Sequence, residues 1–145
     1  MKKNIFDKCV EIQLEKISHL ESAMEDAQKS ANDYGQQSDV FDSHKMQLIG
    51  KRDMYATQLK IEMAHLETLH KIDLTINHKA VEFGSVVITD MQKVYISVGL
   101  GKLTVDNEIY YAISLKVPFF LAMKGLKKGD AFEFRGSNIK ILDIF

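Results

Sequence analysis

Residues 6–31 read FDKCVEIQLEKISHLESAMEDAQKSA, and the spacing inside this stretch decides the fold. Phe6, Val10, Gln13, Ile17, Leu20, Met24, Ala27 and Ala31 recur at steps of four and three, a heptad seam with Gln13 as its one polar member. A stripe that narrow needs a second helix to cover it. Ile49, Ala56, Leu59, Met63 and Leu66 follow the same rule at steps of seven, three, four and three, with Leu48, Tyr55 and Leu69 beside the stripe. No proline precedes Pro118, so nothing in either pattern forces a break. Between the two patterns lie Asn32, Asp33, Gly35, Ser38 and Asp39, residues of turn and N-cap chemistry, with Ser38 or Asp39 as the expected cap of the second helix. The spacing therefore predicts an antiparallel coiled-coil hairpin over residues 1–75. At about 1.5 Å per residue, each arm is on the order of 45 Å long.

From Val81 the hydrophobic period drops towards two. Val86 and Ile88, Tyr95–Val98, Tyr110–Ile113, Ala131–Phe134 and Ile139–Leu142 read as short strands, separated by Gly84, Gly99, Gly101, Asp106-Asn107, Gly129-Asp130 and Gly136-Ser137-Asn138. Pro118–Lys124 reads as one short helix, with proline in its first turn and Gly125 just past its end. About five strands and one helix over 80–145 make a small α+β domain.

The bulk composition excludes several classes. The chain is 27% charged and 46% hydrophobic, too apolar for disorder throughout. No apolar run approaches the roughly 18 residues of a membrane span, and charges follow Met1-Lys2-Lys3 where a signal peptide needs an apolar segment. A cytoplasmic protein without membrane contact is expected. Cys9 is the single cysteine and reads as a small apolar residue on a helix, not as part of a zinc site. A net charge of −1 argues against a protein whose main task is gripping phosphates. Residues 1–75 carry 10 Lys/Arg against 13 Asp/Glu and residues 76–145 carry 9 against 7, a mild asymmetry between the two parts.

Four constellations could carry chemistry. Gly99-x-Gly101-Lys102 lacks the full spacing of a phosphate loop and runs on into a strand, so it reads as a hairpin turn. Glu62-x-x-His65 and Glu67-x-x-His70 match a unit of carboxylate-bridged metal bundles. The two units are five residues apart, about 140° around a helix, and cannot face one metal, so they read as a solvated helix face. Lys45, Lys51 and Arg52 can meet an acidic or nucleic-acid partner, and a hydrated face accounts for them equally well. Asp39-Val-Phe-Asp42 puts two carboxylates three residues apart on one face at a helix start, where their charge is tolerated and their hard oxygens suit Mg²⁺. Helix capping explains such a pair as well.

The chain resembles the bacterial Gre factors, which enter the secondary channel of RNA polymerase. Val81-Glu82-Phe83-Gly84-Ser85-Val86-Val87 is similar to the family's V-x-F-G-(S/A)-x-V opening strand, Tyr95-Ile96-Ser97-Val98-Gly99 to its Y-x-I-V-G, and Ile113-Ser114 to its I-S. Pro118, Gly125 and Gly129-Asp130 resemble its proline-to-Gly-Asp segment. The resemblance implies an FKBP-like C-terminal domain without isomerase activity that docks at the channel rim, and a monomeric factor. It also implies that an acid-x-x-acid pair at the elbow, near residues 35–44, shares a magnesium ion with the polymerase and activates water to cut backtracked RNA at its 3′ end.

This chain departs from the family at the elbow. Anchored on Gly35, the first acid falls on Gln36 and the second on Asp39; anchored on the carboxylates, the pair is Asp39 and Asp42. A neutral glutamine oxygen supplies no negative charge to a metal. The resemblance thus implies a regulator that is not itself an enzyme, with Asp39 and Asp42 at its working tip and Gln36, Ser38, Lys45, Lys51, Arg52, Pro118 and Gly125 as partner-binding residues. The other reading is a non-enzymatic adaptor whose coiled coil binds some other protein or pairs with itself, with the FKBP-like domain as a handle. A peptidyl-prolyl isomerase follows from fold analogy alone, and the chain has no tryptophan for a deep aromatic pocket.

Overall fold

The computed structural model describes residues 1–35 and 43–145, the side chains of 34 and 35 excepted. Two long helices, α1 (Lys2–Gly35) and α2 (Ser43–His70), precede strands β1 (Val86–Thr89), β2 (Lys93–Ile96), β3 (Gly101–Val105) and β4 (Glu108–Ile113), helix α3 (Pro118–Met123), and strands β5 (Ala131–Phe134) and β6 (Ser137–Ile144). The chain is an α+β protein, a helical hairpin followed by a six-stranded sheet domain. Packing divides it into two compact units, Gln13–Leu66 and a unit formed by Met1–Ile12 with Glu67–Phe145. The long helices end at His70 and the first strand begins at Val86, whereas the boundaries of the compact units fall within α1 and α2.

In the helical unit, Gln13 meets Glu62 and Gln28 meets Arg52, so the partner number falls as the α1 number rises and the helices run antiparallel. The α1 seam follows the sequence pattern. Gln13, Ile17, Ala27 and Ala31 are buried, and Leu20 and Met24 are half-buried. The α2 seam does not follow the pattern read from the sequence. Ala56 and Met63 are exposed, Met63 at 49%, whereas Ile49, Leu59 and Leu66 of that series are half-buried; the residues that make a continuous buried or half-buried stripe are Leu48, Arg52, Tyr55, Leu59, Glu62, Leu66 and, in the other unit, Leu69. That set steps 4, 3, 4, 3, 4, 3, a heptad of a different phase with polar members at 52 and 62.

In the sheet unit the strand order is β3-β4-β2-β1-β6-β5. Only β2 and β4 pair in parallel; β3, inserted in sequence between them, returns antiparallel on the outer side of β4. This strand was not among the five expected, since Gly101-Lys102 reads as part of a turn. Both hairpin turns near the edges place their central residues at positive φ, Asp106 (52°) with Asn107 (65°) and Arg135 (50°) with Gly136 (81°). Turns of that twist match the twist of the flanking strands.

Successive side chains of a strand leave on opposite faces, and here both faces are covered. On one, Val86, Tyr95, Leu103, Tyr110 and Ala112 pack with Ile5 and Cys9 from the first turns of α1 and with Leu69 at the end of α2. On the other, Val87, Val94, Ile96, Phe132, Ile139 and Ile141 pack with Phe120 and Met123 of α3. This is why Val86-Val87-Ile88 and Val94-Tyr95-Ile96 are continuous apolar runs. Cys9 is fully buried, and burial pushes its thiol up to about 12, so it behaves as a small apolar residue.

The bend that leads into β1 is built on Gly84. Its φ is 88°, its N–H donates to Ile96 O at 2.7 Å, and a side-chain carbon there would lie 3.3 Å from His78 Nε2 and 3.4 Å from an Ile72 methyl. The His78 Nδ1 lies 2.5 Å from Glu82 Oε1, which holds the ring against the glycine. Gly84→Ala is expected to cost about 1–3 kcal/mol, the scale of a strained backbone position made to carry a Cβ. Urea unfolding of the two proteins measures it, and Gly99→Ala, where nothing lies within 4 Å and φ is not positive, should change far less.

Candidate functional site

α1 ends at Gly35 and α2 begins at Ser43, so chain connectivity makes residues 36–42 the link between the two arms. Gln36, Ser38, Asp39 and Asp42 lie there, outside the described residues, as does the expected cap of α2. The other site residues are described. Lys45, in the first turn of α2, is half-buried, and Lys51 is exposed. Lys51 lines a shallow groove of about 290 Å³ with Ala23, Asp26, Ala27, Leu48 and Tyr55, a space left because alanines stand on the α1 side of the seam. Pro118 opens α3 and Gly125 follows it at φ 78°, the left-handed conformation that stops the helix. Both belong to the sheet unit, whereas Lys45, Lys51 and Arg52 belong to the helical unit.

Arg52 is not a plain hydrated cation. Its Nη1 donates to Gln28 Oε1 across the hairpin, and its Nε and Nη2 donate to Asp53 Oδ1 at 2.9 and 2.6 Å. The guanidinium is therefore already committed within the unit.

The second departure from the sequence reading is Glu62. It was expected on a solvated face; it is 7% exposed and faces Gln13, which is fully buried. The Gln13 Nε2 donates to Glu62 O at 2.8 Å and to Glu62 Oε2 at 2.7 Å. Both acceptors lack hydrogens, so the amide nitrogen must face them. Gln58 Nε2 donates to the other carboxylate oxygen at 3.0 Å, and His65 Nδ1 lies 3.3 Å from Oε2. Burial alone would raise the Glu62 carboxyl, but Gln13 and His65, the charge of Lys16 and the amide of Gln58 together hold it below the usual carboxylate range. The signal that could have found this residue is the seven-residue series Leu48, Tyr55, Glu62, Leu69.

Among the described residues no group of three or more His, Cys, Asp or Glu side chains could hold an ion, and no helix is long and apolar enough to cross a membrane.

No family model matches the chain, and no curated protein matches it. Among solved structures it is similar to the GreA factor homolog 1 (Gfh1) of Thermus thermophilus, with 14% identity over 94% of each chain and a TM-score of 0.34. A second structure, of "the transcription factor Gfh1", shares 17% identity over 93% of this chain and 92% of that one, with a TM-score of 0.35. The Gfh1 of Thermus aquaticus shares 14% over 92% of each, with a TM-score of 0.34. At scores this low the superposition carries no argument about function.

The network around Glu62 has a pH signature. Its folded carboxyl is depressed, so the stability it contributes is complete above the unfolded carboxylate range, about pH 5 and higher, and is lost as pH falls through the lower folded value. Thermal unfolding of wild type and Glu62→Gln between neutral and acid pH should show the difference between them shrinking as the pH falls. At neutral pH, Gln13→Leu should cost about 1–3 kcal/mol, because it leaves a buried carboxylate short of a donor.

Proposed function

We propose that this chain is a Gre-like regulator of transcription elongation, which binds RNA polymerase and places its hairpin in the secondary channel. The observation that carries the reading is a two-helix hairpin held antiparallel by a buried polar pair, whose connecting segment contains Asp39 and Asp42 in acid-x-x-acid spacing. The sheet unit adds support. The Val81–Val87 segment resembling the family's opening strand passes through the Gly84 bend into β1, and the Pro118–Gly125 segment is the α3 helix and its stop.

The chemistry available at the elbow sets the mechanism. Asp39 and Asp42 offer two hard anionic oxygens, while Mg²⁺ takes six ligands. As the Gre resemblance implies, these carboxylates would share the ion with the polymerase, water completing its shell. When bound there, the ion would supply Lewis-acid activation of water. Asp39 and Asp42 bring negative charge and fix its position; Gln36 brings a neutral amide oxygen and donor in their neighbourhood. Along the arm, Lys45 and Lys51 are the cations that meet an acidic or nucleic-acid partner, while Arg52 is held by Gln28 and Asp53. Pro118 and Gly125 shape the α3 surface proposed to rest on the channel rim. In this reading the chain is not an enzyme; the bond is cut by the polymerase.

The adaptor reading is favoured by one feature, the amide at Gln36 where a Gre factor anchored on Gly35 has an acid. The two differ in partner.

Tagged protein should retain RNA polymerase at physiological salt, and Asp39→Ala should leave that binding within about twofold, since a tip carboxylate is not a docking contact. On backtracked elongation complexes, Asp39→Ala and Asp42→Ala should slow RNA shortening by about 10²-fold, the scale of losing one charged group at a reacting centre. Gln36→Asp should increase shortening if the glycine-anchored alignment holds. Failure to retain polymerase rejects the reading in favour of the adaptor.

A further inference from the structure

We propose that the outward face of α2 is a self-association surface, on which a second copy of this chain packs antiparallel through α2 and is steered by Asp53 and Lys60. The inference concerns a face that the hairpin leaves uncovered, does not rest on polymerase binding, and departs from the monomer that the family resemblance implies.

At 100° per residue, Met46, Gly50, Met54, Thr57 and Ile61 fall within an arc of about 80°, on the side of α2 away from Leu48, Tyr55, Leu59 and Glu62. All five are exposed, the large ones substantially: Met46 at 66%, Met54 at 59% and Ile61 at 45%. No charged residue lies in the arc. Thr57 adds little polarity, because its hydroxyl donates to Asp53 O at 3.0 Å and leaves the methyl outward. Gly50 is open, with nothing within 4 Å of where a Cβ would stand, so another backbone can come close there. The outward side chains of a water-facing helix are normally polar, and a continuous uncharged stripe marks a contact surface.

Charge on one flank selects the occupant. Asp53 and Lys60 are seven residues apart, so they lie on the same side of the stripe with opposite signs. In an antiparallel pair of identical helices, each flank meets the same flank of the other copy. With the two-fold axis between positions 56 and 57, Asp53 meets the partner's Lys60 and Lys60 meets the partner's Asp53. A parallel pair would set this flank against Gln47, Gln58 and His65 instead, with no such match. Lys60 is exposed and has no ion pair among the described residues. Asp53 gives one oxygen, Oδ1, to Arg52, so that pair does not use the second.

The stripe from Met46 to Ile61 is about 24 Å long. One helix-on-helix contact of that length buries less than the ~800 Å² per partner of a standard interface, so the association is weak and reversible. A paired copy has the outer side of its hairpin arm covered. Any partner that takes the hairpin therefore competes with self-pairing.

Sedimentation equilibrium of the full chain over a concentration series reads the pairing directly. The mass should rise from the 16.5 kDa monomer towards twice that value as concentration increases, and less steeply at high salt. Met54→Glu with Ile61→Glu should raise Kd at least tenfold while the circular dichroism spectrum is unchanged. Lys60→Asp alone should also raise it severalfold, and adding Asp53→Lys to that variant should restore it, because the swap recreates both crossed pairs. Monomer mass at every concentration, or a pairing indifferent to Met54→Glu, or a double swap weaker than either single change, would overturn the proposal.

Discussion

The contact between Gln13 and Glu62 is the constraint on which the helical unit depends. An apolar heptad seam is tolerant of slippage by a turn or a heptad, since leucine against alanine packs nearly as well in the next layer. A buried polar pair is not tolerant. Moving either helix would leave a carboxylate and an amide without partners inside the seam, at a cost of several kcal/mol. A single polar position in a coiled coil sets register for this reason. Here the amide reaches both the backbone carbonyl and the carboxylate of one residue, so it fixes rotation as well as translation. Register then determines which residues of the two arms close at the connecting segment. It also determines which face of α2 is left outward, with Met46, Met54 and Ile61 on it.

The sheet unit meets a different demand. Its strands are apolar on both faces, so each face needs a cover, and helical residues supply both. The helix that follows Pro118 covers one. Ile5, Cys9 and Leu69 cover the other, which is why the first turns of α1 group with residues 67–145 and not with the rest of their own helix. Asn4 Nδ2 donates to Asp106 Oδ2 and Lys2 Nζ to Ile76 O, tying that cover to the loops around it.

How much of this was legible follows from the physics of each pattern. The α1 seam could be read from Gln13 onward because charged and polar residues surround its apolar members there, whereas in the first turns Ile5 and Cys9, beside the predicted Phe6 and Val10, are the fully buried side chains. The α2 seam could not, because the helix is apolar on two faces. Ile49, Ala56 and Met63 make one series and Leu48, Tyr55 and Leu69 another, and the true one contains a glutamate that looks like a surface residue in sequence. Burial of Glu62 became visible only with Gln13 opposite it. The third strand was hidden by Gly99 and Gly101, which read as a turn running into it, whereas the Asp106-Asn107 turn follows from residues that tolerate positive φ; the second turn was legible at Gly136, and Arg135 beside it carried no such signal. For the candidate site, the spacing of Asp39 and Asp42 is legible and their surroundings are not, since residues 36–42 lie outside the described structure. Lys51 and Arg52 look alike in sequence but differ in the fold, one open and one bound to Gln28 and Asp53.

The side-chain amide of Gln13 reports the central interaction most directly. Exposed glutamine amides exchange their hydrogens with solvent freely, whereas a buried amide donating two hydrogen bonds exchanges only when the helices part. Hydrogen exchange followed by nuclear magnetic resonance should therefore show the Gln13 side-chain amide protected to the same degree as the backbone amides of Ile17 and Leu59 beside it. Exchange as fast as that of Gln47 on the outer surface of α2 would mean that the pair does not hold the seam, and the register argument would fall with it.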